Sequence, residues 1–145
     1  MARITLVVNE FDTGSETFLH ALARILGDDG HEVTEYSLLG SRTRDQAQPG
    51  RAMALPAANS ARFPWAAAKL ATRSSHASAT AMSRARARFG RSSRAVRAAL
   101  QAAPLLATQP DVVHISFSGI ALSLDDALKL LDTDTRVIVS CRGTG

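Results

Sequence analysis

The chain has 145 residues, a mass of 15.4 kDa and an apolar fraction of 46%. This length is enough for one domain with a buried core and too short for two domains of ordinary size. Its apolar runs are far shorter than the ~18 residues of a membrane-spanning helix, and its first residues lack the apolar core of a signal peptide. The single cysteine, Cys141, excludes an internal disulfide and a cysteine-based metal site. We therefore expect one cytoplasmic domain.

The net charge of +4 conceals a strong asymmetry along the chain. Residues 1–40 carry a net charge of −5, residues 41–103 carry +11 and residues 104–145 carry −2. The basic residues are thus concentrated in an Arg- and Ala-rich insert at about 41–103, between two mildly acidic segments.

A strand, a polar loop and a helix are predicted at the start of the chain. Residues 4–8 form a short run rich in β-branched side chains, which favours a buried strand. The stretch Thr13-Gly14-Ser15-Glu16 fits a capping box, so we predict that the first helix begins near Ser15. An apolar stripe follows at helical spacing and consists of Phe18, Leu22 and Ile25.

The following segment completes a β-α-β unit and then loses its periodicity. Residues 31–38 place apolar side chains among polar ones and predict a second strand, parallel to the first. Residues 41–80 are rich in Ala, Arg, Ser and Pro. We expect loops there, with one short helix after Pro64.

A basic amphipathic helix is predicted for about residues 83–103. At 100° per residue an apolar stripe lies on one face and arginines cover the opposite face. Gly90 lies inside this predicted helix, at a cost of ~1 kcal/mol relative to Ala, and Pro104 is expected to end it. The stripe consists of Met82, Phe89, Val96 and Leu100.

Two strands and one helix are predicted after Pro104. Residues 112–115 are expected to form a third, buried strand, and residues 136–140 a fourth. Between them, Ser123-Leu124-Asp125-Asp126 fits a second capping box. This pattern predicts a helix that begins at Ser123 and has both aspartates in its first turn.

Alternation of strands and helices is typical of a mainly parallel sheet with helices on both faces, and we predict a Rossmann-like α/β domain. The last strand is followed only by the loop 141–145, so we expect that the fold is truncated there. Ligands of such sheets bind at the carboxyl ends of the strands, beside helix N-termini. Neither a G-x-G-x-x-G nor a Walker motif is present, and no cofactor is expected.

Four short motifs, in order, resemble the N-terminal domain of glycosyltransferase family 4, whose members are retaining sugar transferases of the two-domain GT-B architecture. The resemblance covers residues 1–40 and 104–145 and does not include the Arg-rich insert. The motifs are Ser15-Glu16-Thr17-Phe18, Gly30-His31-Glu32-Val33, Pro110-Asp111-Val112-Val113-His114 and Val139-Ser140-Cys141-Arg142-Gly143-Thr144.

The resemblance implies transfer of a sugar from a nucleotide-sugar donor to a glycan or lipid-linked acceptor in polysaccharide biosynthesis. In this family the N-terminal domain shapes the acceptor side, and a C-terminal domain, expected to lie outside this sequence, holds the donor. The chain alone is therefore expected to be inactive, and we assign no catalytic residue. The candidates for contact with substrate or donor phosphate are Gly14, Ser15, Glu16, His114, Ser116, Arg142 and Gly143.

The predicted basic helix suggests an alternative function as a binding module. Arginines opposite an apolar stripe suit a peripheral contact with anionic lipid at the inner face of the membrane. Nucleic acid is the weaker alternative, because few aromatic residues are present for base stacking. The stripe can also pack on the sheet and leave the arginines merely solvated. No metal-ligand spacing is present. The candidates for polyanion contact are Arg84, Arg88, Arg91 and Arg94.

Overall fold

Five strands form a single sheet in the computed structural model, which describes residues 1–9, 17–38, 51–53 and 75–140. The side chains at positions 17, 51–53 and 75 are outside this description. The strands are β1 (Arg3–Val8), β2 (Glu32–Ser37), β3 (Arg51–Met53), β4 (Val112–Ile115) and β5 (Arg136–Val139). The helices in the described part of the chain are α1 (Thr17–Asp28), α2 (Ser75–Phe89), α3 (Ser93–Thr108) and α4 (Ser118–Leu128).

The sheet has the order β3-β2-β1-β4-β5, and all its strand pairs are parallel. Strand β1 is central, with Leu6 beside Glu35 of β2 and beside His114 of β4. From β1 the chain adds β2 and β3 on one side, and it then adds β4 and β5 on the other side. The topological switch point, where the direction of strand addition reverses, therefore lies between β1 and β4. This arrangement confirms the predicted Rossmann-like α/β fold.

The main core lies between one face of the sheet and the helices α2, α3 and α4. Tyr36 is fully buried there, and its hydroxyl donates a hydrogen bond of 3.1 Å to the backbone oxygen of Gln101 in α3. Burial raises the pKa of this tyrosine far above its ordinary value. Alanine supplies much of the helical side of this core: Ala77, Ala81, Ala85, Ala95, Ala98, Ala99, Ala102, Ala103 and Ala127.

Helix α1 covers the opposite face of the sheet. Leu19 packs against Val8 with Phe18 and Leu22 at the margin of this smaller cluster. His20 Nδ1 lies 2.9 Å from Glu35 Oε1, which adds a polar link between the helix and β2. Ile25 was predicted to share the apolar stripe but is 55% exposed, because α1 contacts this cluster only through its first half.

The predicted continuous basic helix is wrong, because two antiparallel helices occupy this region. The chain turns at Gly90, whose φ of +67° suits glycine, and Ser92 begins α3 as its N-cap by accepting a 3.2 Å hydrogen bond from the Ala95 amide. The turn also changes the helical phase beyond Gly90. Val96 is consequently 43% exposed, and alanines of α3 are buried in its place.

Pro104 does not end the helix, as the sequence predicted, but lies buried inside α3. An internal proline costs about 3 kcal/mol, because it removes one backbone hydrogen bond and its ring crowds the preceding turn. Leu105 and Leu106, which directly follow it, are buried in the core. Each buried leucine contributes roughly 1.5–3 kcal/mol, so packing offsets the local cost and α3 continues to Thr108.

Helix α4 begins five residues earlier than the capping-box pattern predicted, at Ser118 rather than Ser123. The Ser123 hydroxyl instead donates a 2.7 Å hydrogen bond to the Ile120 carbonyl within the helix. Asp125 and Asp126 therefore lie in the last turns of α4 and not in its first. Asp126 pairs with Arg94 of α3, and Asp125 pairs with Lys129.

Residues 41–80, predicted as loops, contain strand β3 and the first residues of α2. A three-residue strand is too short to show an alternating pattern, and the Ala- and Ser-rich start of α2 has little apolar periodicity. The predicted helix after Pro64 and the predicted start of the first helix near Ser15 lie outside the described residues. Residues 75–103 of the predicted insert belong to the helical layer over the sheet.

Candidate functional site

The carboxyl ends of β1 and β4 define the candidate site, since the crevice at this switch point is where open parallel sheets bind ligands. The chain leaves β1 at Asn9 and leaves β4 at Ser116. Helix α4 starts only two residues after Ser116. A strand end, a neighbouring strand end and a helix N-terminus therefore meet at this edge.

Ser116 joins the two strand ends at the centre of the site. It is fully buried, and its hydroxyl donates a 3.0 Å hydrogen bond to the Val7 carbonyl, which also accepts a 3.3 Å bond from the Ser116 amide. Ser37 acts similarly at the end of β2, where its hydroxyl donates to the Asn9 carbonyl at 3.1 Å. The predicted candidate Ser116 thus fixes the floor of the crevice and its hydroxyl proton is engaged there.

His114 links the ends of β4 and β5. It lies beside Leu6 of β1 on the face that carries α1, and it is half-buried. Its Nε2 atom is 2.8 Å from the hydroxyl oxygen of Ser140, which directly follows β5. The Ser140 amide donates to the Ile115 carbonyl at 2.9 Å and holds that hydroxyl in place. The imidazole of His114 thus lies one residue before the carboxyl end of β4, beside the switch point.

The N-terminus of α4 presents backbone N–H groups at the same edge. Phe117 is the N-cap residue and provides no side-chain hydrogen bond to the helix. The amides of Ser118 and Gly119 donate to no other residue in the part of the chain that the structure describes. Such amides and the positive end of the helix dipole favour phosphate or carboxylate groups. The sequence pattern missed this feature because it placed the helix start at Ser123.

Five of the seven predicted substrate-facing residues lie outside the described residues. Gly14, Ser15 and Glu16 precede the described part of α1, and Arg142 and Gly143 follow Ser140, the last described residue. The structure therefore brings together His114 and Ser116 of that set. Ser140, Ser118 and Gly119 join them, and none of these three was predicted as a site residue.

The four arginines predicted to contact polyanions fall into two groups. Arg94 binds both carboxylate oxygens of Asp126 at 2.7 Å and lies over the ring of Phe89, 4.8 Å from its centroid. Arg84 donates to the Leu130 carbonyl at 2.8 Å and to Asp132 at 2.7 Å. Arg88 and Arg91 are exposed and form no ion pair with another described residue.

The charged pairs around α3 and β1 also affect the protonation of two aspartates. Hydrogen bonds from the Arg94 guanidinium lower the pKa of Asp126 below its ordinary value of 3.8. At the start of β1, the Arg3 amide donates to Asp111 at 2.7 Å and lowers the pKa of that carboxyl group in the same way. These pairs connect elements distant in sequence, so they act on the stability of the fold.

A cleft of about 690 Å³ lies at the opposite, amino edge of the sheet. It is lined by the first residue of β1, Arg3, by the residues directly before β4 and β5, Asp111 and Thr135, and by His76 of α2. Arg3 and Asp111 are paired with each other across the start of these strands. This cleft is far from the switch point along each strand, and we do not assign the candidate site to it.

No helix in the described ranges is long and apolar enough to cross a membrane. No group of three or more His, Cys, Asp or Glu side chains in those ranges is arranged to hold a metal ion.

Comparisons with protein-family models, with curated proteins and with solved structures find no match to this chain. The fold defines a Rossmann-like α/β domain, and the function has to be argued from the site.

Proposed function

We propose that this chain is the acceptor-side, Rossmann-like domain of a retaining glycosyltransferase, which transfers a sugar from a nucleotide-sugar donor to a glycan or lipid-linked acceptor. The observation that carries the proposal is the meeting of the β1 and β4 ends with the N-terminus of α4. This edge is suited to the diphosphate of a nucleotide sugar, because a helix dipole and amides that donate to no other described residue both favour negative charge.

The four motifs that resemble glycosyltransferase family 4 support the same assignment. Two of them contain elements at this edge, since His114 ends one motif and Ser140 lies in another. In the proposed role, α4 binds the donor diphosphate weakly, and the crevice beside His114 receives the acceptor. Sugar transfer requires groups from a second domain on the far side of the cleft, so this chain alone is expected to show no transferase activity.

Binding of uridine diphosphate to the chain tests the proposal by isothermal titration calorimetry. A single helix terminus without the second domain predicts a weak complex, with a Kd of about 1 mM. The Ser118→Glu variant places a carboxylate beside the proposed phosphate position and should weaken binding at least about tenfold. Ser123→Glu adds the same charge further along α4 and should leave the Kd unchanged. Equal Kd values for both variants would contradict the proposal.

One observation favours a second candidate, in which the α2–α3 turn binds an anionic membrane surface or nucleic acid. Arg86, Arg88 and Arg91 are exposed and make no ion pair with the other described residues. The apolar side of both helices is used in the core, so contact would be electrostatic and would weaken steeply with salt.

The matched double variants Arg88→Gln/Arg91→Gln and Arg24→Gln/Arg136→Gln test this candidate, because each removes two exposed positive charges. Binding to vesicles of anionic phosphatidylglycerol and to single-stranded RNA is measured at low and high salt. The candidate predicts a large loss of binding for the first variant only. If the two variants lose binding equally, net charge alone is responsible and the α2–α3 turn is not the binding site.

A further inference from the structure

A groove of about 620 Å³ lies between the second half of helix α2 and the segment 129–133 that follows α4. Its volume is in the range of sites for small molecules. Arg84, Arg88 and Lys129 line it, together with one carboxylate, that of Asp132. The described residues that line the groove therefore carry a formal charge of +2.

Arg84 is held in a defined orientation in this groove. Its Nη1 atom donates to the Leu130 carbonyl at 2.8 Å, and its Nη2 atom donates to Asp132 Oδ1 at 2.7 Å. The side chain is 37% exposed, so the guanidinium is partly open to solvent. A guanidinium presents five N–H donors in a planar fork, and these two bonds use only two of them. Donors thus remain for the oxygen atoms of an anion.

The other two cations are less well neutralised than Arg84. Arg88 lies one turn after Arg84 on α2 and forms no ion pair with another described residue. Like charges at this spacing destabilise a helix. Lys129 pairs with Asp125, whose side chain is 56% exposed and does not line the groove. The folded chain therefore contains a repulsion that a bound anion would relieve.

We propose that this groove binds a phosphate group and that the Asp132 carboxylate competes with the phosphate for Arg84. Arginine can bind phosphate through two parallel N–H···O bonds, and lysine adds a point charge. A phosphate monoester carries a charge of about −1.5 to −2 at pH 7, which matches the charge of the groove better than a carboxylate does. The phosphate belongs either to a soluble compound or to a lipid headgroup, and the chemistry of binding is the same.

Asp132→Asn tests the competition by the carboxylate. A titration with inorganic phosphate, followed by ¹H–¹⁵N correlation spectra, should shift the amides of Arg88, Lys129 and Thr133 rather than those at the switch point. Asp132→Asn keeps the shape of the side chain and removes its charge, so it should bind phosphate at least about threefold more tightly than the original chain.

Asp134→Asn is the matched control for this variant. It removes the same charge two residues later, from a side chain that does not line this groove. It should leave the Kd for inorganic phosphate close to that of the original chain. Equal gains in affinity for both variants would show an effect of net charge alone and would overturn the proposal.

The double variant Arg84→Gln/Lys129→Gln removes two of the three cations and should weaken phosphate binding at least about fivefold. Arg24→Gln/Arg136→Gln removes two positive charges elsewhere on the surface and should have a smaller effect. Circular dichroism confirms that each variant is folded. Equal losses for the two double variants would also overturn the proposal.

Vesicles of phosphatidylglycerol distinguish the two sources of the phosphate. If Asp132→Asn strengthens binding to vesicles but not to inorganic phosphate, the groove binds a lipid headgroup. If it strengthens binding to inorganic phosphate alone, the ligand is a soluble phosphate compound. A variant that binds neither probe more tightly than the original chain would contradict the proposed site.

Discussion

Serine hydroxyls at the carboxyl ends of the strands decide how the candidate site is built. Ser116 and Ser37 each donate to a carbonyl at the end of β1, and Ser140 meets the imidazole of His114. A buried hydroxyl is stable only when it is hydrogen-bonded, so each serine fixes one strand end relative to its neighbour. The sequence predicted Ser116 and His114 as site residues, and that assignment stays a prediction; it could not indicate that the Ser116 hydroxyl donates to the Val7 carbonyl.

The pair formed by Asp126 and Arg94 predicts a specific loss of stability in acid. Because the pKa of Asp126 is lowered in the folded chain, its contribution to stability is present above its ordinary pKa of 3.8. That contribution is lost as the pH falls below this value. Urea denaturation at a series of pH values between about 6 and 2.5 tests this prediction. The free energy of unfolding of Asp126→Asn should fall less steeply with decreasing pH than that of the original chain.

The matched control for this prediction is Asp29→Asn. Asp29 is exposed and has no ion pair with the other described residues, so its replacement should leave the acid dependence of unfolding unchanged. If Asp126→Asn and the original chain lose stability in parallel as the pH falls, the Arg94 pair does not stabilise the fold.

At the scale of elements, Gly90 separates the predicted single helix from the observed pair. Six arginines lie among alanines between positions 84 and 97, and such a sequence has helical propensity on both sides of the glycine. Propensity alone therefore favours one helix. The deciding contribution is tertiary, because folding back at Gly90 buries the alanines of α2 against those of α3. Small side chains allow this close approach of the two helices.

Substitution of Gly90 by alanine distinguishes the two arrangements by the sign of its effect. In a continuous helix the alanine would stabilise the fold by about 1 kcal/mol. In the observed turn, where φ is +67°, it should lower the free energy of unfolding by about 1 kcal/mol. No described atom lies within 4 Å of the added methyl group, so backbone strain is the only cause.

Gly27 provides the internal control for this measurement. It lies in α1, does not have a positive φ and has open space around its Cα. Gly27→Ala should therefore raise the free energy of unfolding by up to about 0.5–1 kcal/mol. An increase in stability for Gly90→Ala, measured by urea denaturation, would contradict the observed turn.

The strands were more predictable than the helix boundaries. Residues 4–8, 112–115 and 136–139 are short β-branched runs between polar residues, and each forms a strand in the structure. The predicted helix starts depended on capping patterns, and the pattern at Ser123 was wrong, because Ser123 lies inside α4. A Ser-x-x-Asp pattern also occurs inside a helix, where the serine hydroxyl can bond to a preceding carbonyl.

For the whole molecule, the alternation of strands and helices was enough to predict a parallel sheet with helices on both faces. The carboxyl edge of that sheet stays the predicted site. The strand order and the position of the switch point were not predicted, because β3 gives no sequence signal and the Arg-rich segment has no single period. The helices over the main core bury mostly alanine side chains. The sequence of α3 therefore has few large apolar residues from which its buried face could be predicted. The arginines of that segment predicted an exposed basic surface, whereas its alanines form part of the core.

In the proposed function, the switch point between β1 and β4 binds the diphosphate of a nucleotide sugar. A ¹H–¹⁵N correlation spectrum recorded during titration with uridine diphosphate tests it most directly. The largest amide shifts are predicted at Ser118 and Gly119, with smaller shifts at Ser116 and Ser140. Shifts confined to Arg88, Arg91 and the turn at Gly90, or no shifts at millimolar ligand, would contradict the claim.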